Sequence, residues 1–309
     1  MKKIFIDGKS GTTGLRIYDR LAQRADIELI TLSDVLRRDP EARAAALNAA
    51  DYAFLCLPDA AAQEAVSFIK NPDTVILDTS TAHRTQPGWA YGFPELGPEF
   101  AQAVKTGKRI AVPGCHASGF IALVYPLVRA GILPPEALLS CHSLTGYSGG
   151  GKSMIAEYEA KDRSPLLHAP RQYGLAQAHK HLKEMQMLTG LAQAPLFCPI
   201  VADFYSGMLV TVPLFTEQLE GAGIDDLRAL YAQIYAGPIV RYLPDADEAG
   251  FLSAGKCSGL DSMEISVFGN GQRVLLCARY DNLGKGASGA ALECLNLAMG
   301  VDAAAGLQL

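Results

Sequence analysis

An alternation of short apolar segments with helical segments predicts an α/β fold built on a parallel sheet. Two further observations support this fold class. A glycine-rich turn follows the first apolar segment, as in Rossmann-like dinucleotide-binding domains, and 309 residues are enough for two domains. We therefore expect a Rossmann-like nucleotide-binding domain and a second domain.

Five apolar segments in the first 112 residues are predicted strands. In chain order they are KKIFI, IELITLS, DYAFLCLP, TVILDTS and KRIAV. Helical segments such as DAAAQEAVSFIK lie between several of them. The segment TGLRIYDRLAQR follows the first strand and is predicted to place Leu15, Tyr18, Leu21 and Ala22 on one face of a helix.

The turn between the first strand and this helix is Gly8-Lys9-Ser10-Gly11-Thr12-Thr13-Gly14. Its spacing, G-x-x-G-x-x-G, differs from the common G-x-G-x-x-G fingerprint, so its position between strand and helix carries the prediction. A pyrophosphate bound there would lie at a helix N-terminus. The candidate cofactor residues are Gly8, Ser10, Gly11, Thr12, Thr13 and Gly14.

The end of the second predicted strand bears on which nucleotide binds. Asp34 favours the free ribose of NAD, whereas Ser33, Arg37 and Arg38 favour a 2′-phosphate. The alternative is that both arginines belong to a solvated helix face. Taken together, these residues favour NADP over NAD as the cofactor.

The stretch RIAVPGCHASGFIALVYPLV places Cys115 between the last predicted strand and a helix. That helix is predicted from Ala117 to Val128, with a break at Pro126. A thiol at a helix N-terminus is stabilised as thiolate by unpaired N–H groups and the helix dipole. The alternative is a buried cysteine that acts as a small hydrophobic residue.

Residues 146–153, GYSGGGKS, match the P-loop pattern G-x-x-x-x-G-K-[ST] at every position. They follow the apolar segment ALLSCHSLT and precede the helical segment SMIAEYEAKD. The downstream run LFCPIVAD contains Pro199, which argues against a central parallel strand and so against an NTPase. The other interpretation is a glycine loop in which Lys152 lies close to a substrate phosphate.

Two further segments carry polar candidates. His179 and His181 lie two residues apart and would share a face only in an extended segment. Either could be a surface histidine or a base for Cys115, and no third residue has convincing spacing for a metal. Asn282, in the late turn DNLGKGASGA, has donor and acceptor groups suited to a carboxamide, or it caps the turn.

Composition and charge argue against several other classes of protein. The net charge of −5 provides no basic surface for nucleic acid, and the longest apolar run is about half as long as a bilayer span requires. The start, MKKIFIDG, is not a signal peptide. Seven cysteines without a C-x-x-C pair indicate reduced thiols in a cytoplasmic protein, with no metal site.

These motifs, taken together and in this order, resemble the N-acetyl-gamma-glutamyl-phosphate reductase family of arginine biosynthesis, specifically its shorter form. The resemblance covers nearly the whole chain and rests on GKSGTTG, DTSTAHR, FPEL, VPGCHASG, GYSGGGK, AHKH and DNLGKGASGAALE. Aspartate-semialdehyde dehydrogenase is a more distant relative. A reductase of that type acting on another acyl phosphate, a P-loop NTPase and a catalytically silent dinucleotide sensor are the alternatives.

The resemblance implies a chemistry and a set of roles. Cys115 is then the nucleophile that displaces phosphate and forms a thioester, and His181 is the acid/base, with His179 as the alternative. It further implies NADP bound by the first glycine turn together with Ser148, Gly149 and Asn282. Arg84 is the candidate contact for the substrate carboxylate and Lys152 for an anion, and the alternative for both is an ordinary surface charge.

The resemblance also implies domain boundaries and a function for each domain. Residues 1–115 and 283–309 would bind NADP as a Rossmann-like domain, and residues 116–282 would form an α+β domain that carries catalysis and oligomerisation. The partners expected are an acyl-phosphate substrate and further copies of the chain, as a dimer or tetramer, with neither nucleic acid nor membrane.

Overall fold

The computed structural model describes residues 1–309, which divide into two compact units. The first unit comprises Met1–Pro94, Pro98–Gly114 and Ala290–Leu307. The second comprises Glu95–Gly97, Cys115–Gly289 and Gln308–Leu309. Cys115 is therefore the residue at which the chain enters the second unit. The predicted assignment of cofactor binding and catalysis to separate parts of the chain stays a prediction.

The first unit contains a six-stranded, fully parallel sheet in the order β2-β1-β3-β4-β6-β5. Its elements are β1 (Lys2–Asp7), α1 (Thr12–Leu21), β2 (Ile27–Ile30), α2 (Pro40–Ala49), β3 (Tyr52–Leu55), α3 (Asp59–Ser67), β4 (Val75–Asp78), β5 (Ala90–Tyr91), α4 (Pro98–Thr106) and β6 (Arg109–Ala111). The five predicted strands are present and parallel. The two-residue strand β5 was not predicted, because so short a segment carries no periodicity.

Two apolar clusters pack on the sheet of the first unit. One contains Ile4, Ile17 and Leu21, and the other contains Phe5, Ala53 and Ile76. The buried face of α1 is Gly14, Ile17 and Leu21, whereas Leu15 is exposed. The buried face of α1 is therefore shifted by about one residue from the predicted face, although Leu21 belongs to both. The shift was not predictable because Gly14, which is buried, has no apolar side chain.

The second unit contains a seven-stranded mixed sheet in the order β11-β12-β13-β10-β7-β9-β8. Its elements are α5 (Cys115–Arg129), β7 (Ser140–Gly146), α6 (Gly151–Glu159), β8 (Arg171–Gln172), α7 (His181–Thr189), β9 (Leu196–Ala202), β10 (Met208–Phe215), α8 (Ile224–Ile234), β11 (Val240–Tyr242), β12 (Met263–Gly269) and β13 (Arg273–Tyr280). Helix α5 packs on α7 and on strands β10 and β13. A last helix, α9 (Gly289–Met299), lies almost entirely in the first unit, where Ala291 and Leu295 are buried in its core.

Helix α5 continues through Pro126, so the predicted break there is wrong. A proline lacks the N–H that would bond to the carbonyl four residues earlier, here that of Ala122. The hydroxyl of Tyr235 donates to this carbonyl oxygen at 2.7 Å. A tyrosine more than a hundred residues away thus satisfies the group that the proline leaves open, and the helix ends only at Arg129.

Strand β9 contains Pro199, so the prediction that this proline prevents a parallel strand is also wrong. Residues 196–202 pair in parallel with the whole of β7. The Pro199 carbonyl accepts from the main-chain N–H of Tyr173, so the proline nitrogen faces the β8 side, where the ladder stops after two residue pairs. The N–H that Pro199 lacks would therefore have faced a part of the sheet edge where β8 no longer pairs with β9.

No helix of this chain combines the length and the apolar character needed to cross a membrane.

Candidate active site

The first glycine loop, Gly8–Gly14, has a backbone that requires glycine at its start. Gly8 has φ of +85°, and a Cβ there would lie 2.2 Å from the carbonyl oxygen of Cys56. A Cβ on Gly14 would lie 2.6 Å from the carbonyl oxygen of Gly8. These two glycines therefore allow β3, the loop and helix α1 to approach one another closely.

The same loop leaves polar groups available to an anion. Gly11 is the N-cap of α1 and provides no side-chain cap, and Thr12 Oγ1 is buried without a hydrogen-bond partner. The loop borders a cavity of about 540 Å³ lined by residues that include Gly8, Ser10 and Arg38. An uncapped helix start, an orphaned hydroxyl and a cavity of ligand size fit a dinucleotide with its pyrophosphate on α1.

Two of the three groups predicted to favour a 2′-phosphate line this cavity. Arg37 and Arg38 line the cavity together with Asp34. The Asp34 carboxylate lies 3.2 Å from Nε of Arg37, so the acidic side chain is engaged by the arginine. Ser33 Oγ accepts from the main-chain N–H of Leu36 at 3.4 Å and so helps to start the short 3₁₀ turn that carries the arginines.

Cys115 lies at the N-terminus of α5, as the sequence predicts, and its side chain is partly exposed. The helix begins at Cys115 itself, two residues before the predicted start at Ala117. The hydroxyl of Tyr280 donates to the Cys115 carbonyl oxygen at 2.5 Å and accepts from the Gly119 N–H at 3.0 Å. These two main-chain groups are the pair that closes the first turn of an α-helix. Tyr280 therefore holds the turn on which the thiol is carried.

Two glycines make the surroundings of Cys115 possible. A Cβ on Gly119 would lie 2.7 Å from the Tyr280 hydroxyl, and a Cβ on Gly286 would lie 3.1 Å from Cβ of Cys115. The π-type turn at Gly284–Ser288 can therefore pack its backbone directly against the cysteine. The sequence motifs VPGCHASG and DNLGKGASGA, far apart in the chain, meet at this point.

Most other thiols of the chain are buried and hard to ionise. Burial raises the pKa of Cys56 and Cys257 to about 12 and that of Cys277 to about 11, and it also raises the pKa of Cys141. A thiolate nucleophile is therefore disfavoured at these four positions.

Three histidines cluster beside the start of α5. The ring centroid of His116 lies 5.7 Å from those of His179 and His181, which are 4.7 Å apart. His181 is the first residue of α7, and its main-chain N–H donates to Nδ1 of His179 at 3.2 Å. The structure thus places both predicted histidines next to the residue that follows Cys115.

The His116 ring takes part in a chain of side-chain hydrogen bonds. Its Nδ1 lies 2.7 Å from Oγ of Ser143, and its Nε2 lies 2.6 Å from the hydroxyl of Tyr173. Burial, with a smaller contribution from His179, lowers the pKa of His116 to about 3. His116 is therefore a neutral imidazole at physiological pH.

The second glycine loop, Gly146–Ser153, lies between β7 and α6 and is tied down by Asn282. The Asn282 amide nitrogen donates to Ser148 Oγ at 3.0 Å, and its oxygen accepts from the Gly207 N–H at 2.9 Å. A Cβ on Gly149 would lie 3.4 Å from the same amide nitrogen. The structure brings together the three predicted cofactor residues of this region, with Asn282 bridging two loops. Their contact with a nucleotide stays a prediction.

Lys152 and Arg84, the predicted substrate contacts, lie in very different surroundings. Lys152 is exposed in the first turn of α6. Arg84 is buried, with Nε donating to the Val112 carbonyl oxygen at 2.8 Å and a terminal nitrogen donating to that of Thr79 at 2.9 Å. The interpretation of Arg84 as an ordinary surface charge is wrong, because these bonds join it to the backbone just before Cys115.

Several residues that lie around Cys115 in the structure were not predicted as site residues from the sequence. Tyr280 lies in an ordinary alternating strand, and Tyr173 lies in an irregular segment before α7. His116 was visible as part of VPGCHASG, but a histidine next to a candidate nucleophile has no defined position without the fold.

Comparison with known proteins identifies the family. The model "Semialdehyde dehydrogenase, dimerisation domain" matches residues 115–282, and "Semialdehyde dehydrogenase, NAD binding domain" matches residues 34–104. N-acetyl-gamma-glutamyl-phosphate reductase from Burkholderia lata is 46% identical over 305 residues, which cover 96% of each chain. The chain belongs to the N-acetyl-gamma-glutamyl-phosphate reductase family. N-acetyl-gamma-glutamyl-phosphate reductase 2 from a Nostoc species is 44% identical, with 99% of each chain covered.

Solved structures confirm the predicted fold class. Aspartate semialdehyde dehydrogenase II from Vibrio cholerae, complexed with ASA, superposes with a TM-score of 0.70 at 14% identity and covers 97% of this chain and 98% of its own. The Candida albicans enzyme, solved with NADP, superposes with a TM-score of 0.68 at 14% identity and covers 96% and 98%. The similarity to these dehydrogenases is one of fold, whereas membership of the reductase family rests on sequence identity.

Proposed function

We propose that this chain reduces N-acetyl-gamma-glutamyl phosphate to N-acetylglutamate semialdehyde, with NADPH as hydride donor and release of phosphate, in arginine biosynthesis. The identity of 46% over 96% of the chain to a reductase of that name carries this proposal. The geometry around Cys115 supports it, since a partly exposed thiol begins a helix and histidines lie beside it.

Cys115 is proposed to attack the acyl carbon of the substrate. The sulfur–carbon bond forms as the bond from carbon to the phosphate oxygen breaks, which leaves a thioester and free phosphate. The N–H groups of the first turn of α5 are available to an oxyanion because a helix start leaves them without internal partners. Tyr280 keeps this turn in place.

His181 is proposed as the acid/base of the reaction. Its ring is buried within the histidine cluster, and α7, which it begins, packs on α5, which Cys115 begins. In this role it removes the proton of the thiol before attack and returns a proton when the hemithioacetal releases the aldehyde. His179 is the alternative and differs in that its Nδ1 accepts a main-chain hydrogen bond.

The first glycine loop and the arginines at positions 37 and 38 are proposed to hold NADPH. When bound, this cofactor supplies the hydride that reduces the thioester. The loop offers uncapped N–H groups to the pyrophosphate, and the guanidinium groups offer charge to the 2′-phosphate. We assign cofactor binding to residues 1–115 and 283–309, and catalysis and oligomerisation to residues 116–282.

We further propose that the chain forms a dimer or tetramer through the second unit. The family model that matches residues 115–282 is described as a dimerisation domain. One face of the mixed sheet leaves apolar side chains partly exposed: Leu144, Cys198, Ile200, Leu209, Pro213, Phe215 and Leu275. Seven free cysteines, several of them buried, support a reducing, cytoplasmic setting.

The reaction is tested in the direction of NADP reduction, with N-acetylglutamate semialdehyde and phosphate as substrates and aspartate semialdehyde as the competing aldehyde. We expect phosphate-dependent turnover with the first aldehyde only.

Cys115→Ser should abolish turnover with little change in NADP affinity, because a serine hydroxyl is not ionised near neutral pH. Cys198→Ser, which alters another partly exposed thiol, should remain active. Turnover with aspartate semialdehyde alone would refute the substrate, and an active Cys115→Ser variant would refute the thioester.

A further inference from the structure

The chain of hydrogen bonds from Ser143 through His116 to Tyr173 runs from the core towards the candidate active site. Ser143 is fully buried in β7, and its hydroxyl is bonded to Nδ1 of His116 alone. His116 is 4% exposed, whereas Tyr173 is only partly buried. Tyr173 is therefore the least buried member of this chain.

A neutral imidazole has one nitrogen that donates and one that accepts, so the chain has only two possible directions. In the first, Tyr173 donates to Nε2 and Nδ1–H donates to Ser143, which leaves the buried serine proton without an acceptor. In the second, Ser143 donates to Nδ1 and Nε2–H donates to the Tyr173 oxygen. The phenol proton then points away from His116.

The second direction is favoured by the difference in burial. An unsatisfied donor in the core costs about 1–3 kcal/mol, whereas a donor that reaches solvent or a ligand costs little. Ser143 is fully buried, whereas Tyr173 is partly exposed. His116 should therefore carry its proton on Nε2.

We propose that Tyr173, oriented by Ser143 and His116, donates its phenol proton to an oxygen of the acyl phosphate bound at Cys115. The inference rests on the proposed function for the identity of the ligand. His116 follows Cys115 directly in the chain and contacts the phenol at 2.6 Å, so the donor lies beside the thiol. Burial, and secondarily the charge of Cys115, raises the pKa of Tyr173, so the phenol keeps its proton throughout the working range of pH.

The direction of the chain is testable without any assay of activity. Nitrogen NMR of histidine-labelled protein distinguishes a ring nitrogen that carries a proton from one that does not, and His116→Gln identifies the signals of this ring among the six histidines. We expect Nδ1 of His116 to be unprotonated in the native chain. A His116 that carries its proton on Nδ1 would overturn the proposal.

Kinetics then test the role of the donor. Tyr173→Phe should lower kcat/KM for the semialdehyde or for phosphate by about ten-fold or more, with an unchanged KM for NADP, since a hydrogen bond to a charged oxygen is lost. An effect confined to phosphate places the acceptor on the phosphoryl group, and an effect confined to the aldehyde places it on the acyl oxygen. Tyr242→Phe is the matched control, because that phenol makes no hydrogen bond.

Ser143→Ala separates orientation from simple packing. Without the serine hydroxyl, Nδ1 of His116 has no partner in either direction of the chain, so the phenol proton is no longer directed away from Nε2. This distant variant should therefore show part of the loss seen in Tyr173→Phe. The double variant should be no worse than Tyr173→Phe alone. Full activity of Tyr173→Phe in an enzyme whose native form turns over would refute the inference. An inactive native enzyme would refute the proposed substrate and leave the NMR result to decide the direction of the chain.

Discussion

The two glycine loops of this chain stand in similar places but differ in what surrounds them. Each follows a strand and precedes a helix, and only the second, Gly146–Ser153, matches a nucleotide-binding pattern at every position. The first, Gly8–Gly14, follows a strand with parallel neighbours on both sides and borders a cavity of about 540 Å³. The strand before the second has an antiparallel neighbour, β10, on one side.

The polar groups of the two loops are also used differently. The first loop leaves the Thr12 hydroxyl without a partner and the start of α1 uncapped. In the second, Ser148 is bonded to Asn282 and the lysine of the pattern is exposed. A loop binds phosphate through the N–H groups and space that the fold leaves free, so the match to a pattern is the weaker indicator.

The largest effect should come from closing the first loop with a methyl group. Gly8→Ala combines a positive φ with a Cβ 2.2 Å from a main-chain oxygen, and should lower the free energy of unfolding by about 2–5 kcal/mol and abolish NADPH binding. Gly151→Ala in the second loop also has a positive φ, +73° with ψ of −168°, but no atom within 4 Å, so only the backbone strain of about 1–3 kcal/mol is expected there. Urea unfolding measures both, and equal losses would refute the distinction.

Asn282→Ala tests what holds the second loop. The variant leaves the buried Gly207 N–H without its acceptor, which should cost about 1–3 kcal/mol of stability. The dissociation constant for NADPH should change by less than about two-fold if the residue acts by joining loops, a change too small for a lost hydrogen bond. A ten-fold weaker NADPH complex with unchanged stability would instead support the predicted contact with the cofactor.

The arginines beside the first loop should determine the choice of cofactor. Arg37→Ala combined with Arg38→Ala removes two positive charges from the proposed 2′-phosphate site, so KM for NADPH should rise by roughly ten-fold or more. KM for NADH should be nearly unchanged. If the native enzyme used both cofactors equally, these arginines would be no more than an exposed helix face.

The smallest effect is expected at the exposed lysine of the second loop. Lys152→Ala should leave stability within about 0.5 kcal/mol, because the side chain is exposed and makes no buried contact. KM for phosphate should rise by a few-fold, in keeping with a point charge near the substrate. An unchanged KM for phosphate would remove Lys152 from the substrate site.

Sequence patterns predicted the elements whose signals are local. The five predicted strands of the first unit follow from apolar runs and turn residues, and all are present. Helix α5 was also predicted, although it begins at Cys115, two residues before the predicted start. The failures at Pro126 and Pro199 have a common cause. In each case a distant part of the chain, the Tyr235 hydroxyl or the end of the β8 ladder, accommodates the missing N–H. Such compensation is tertiary and leaves no mark in the local sequence.

The residues of the candidate site also differ in whether local sequence could predict them. Cys115 could be singled out because its position at a strand–helix junction is local, and the family resemblance identified His181. The tyrosines around them could not be found from sequence. Tyr280, which bonds to the Cys115 carbonyl, comes from β13, and Tyr173, which bonds to His116, comes from an irregular segment more than fifty residues from the cysteine. A hydrogen-bond chain has no sequence period, so its members are found only once the fold brings them together.

The central claim is that the nucleotide lies on the first glycine loop and that the second is not a P-loop. Isothermal titration of the native chain and of Lys152→Ala with NADPH and with MgATP tests it directly. We expect NADPH to bind both proteins with similar affinity and MgATP to give no heat with either. Micromolar binding of MgATP to the native chain that disappears in Lys152→Ala would contradict the account.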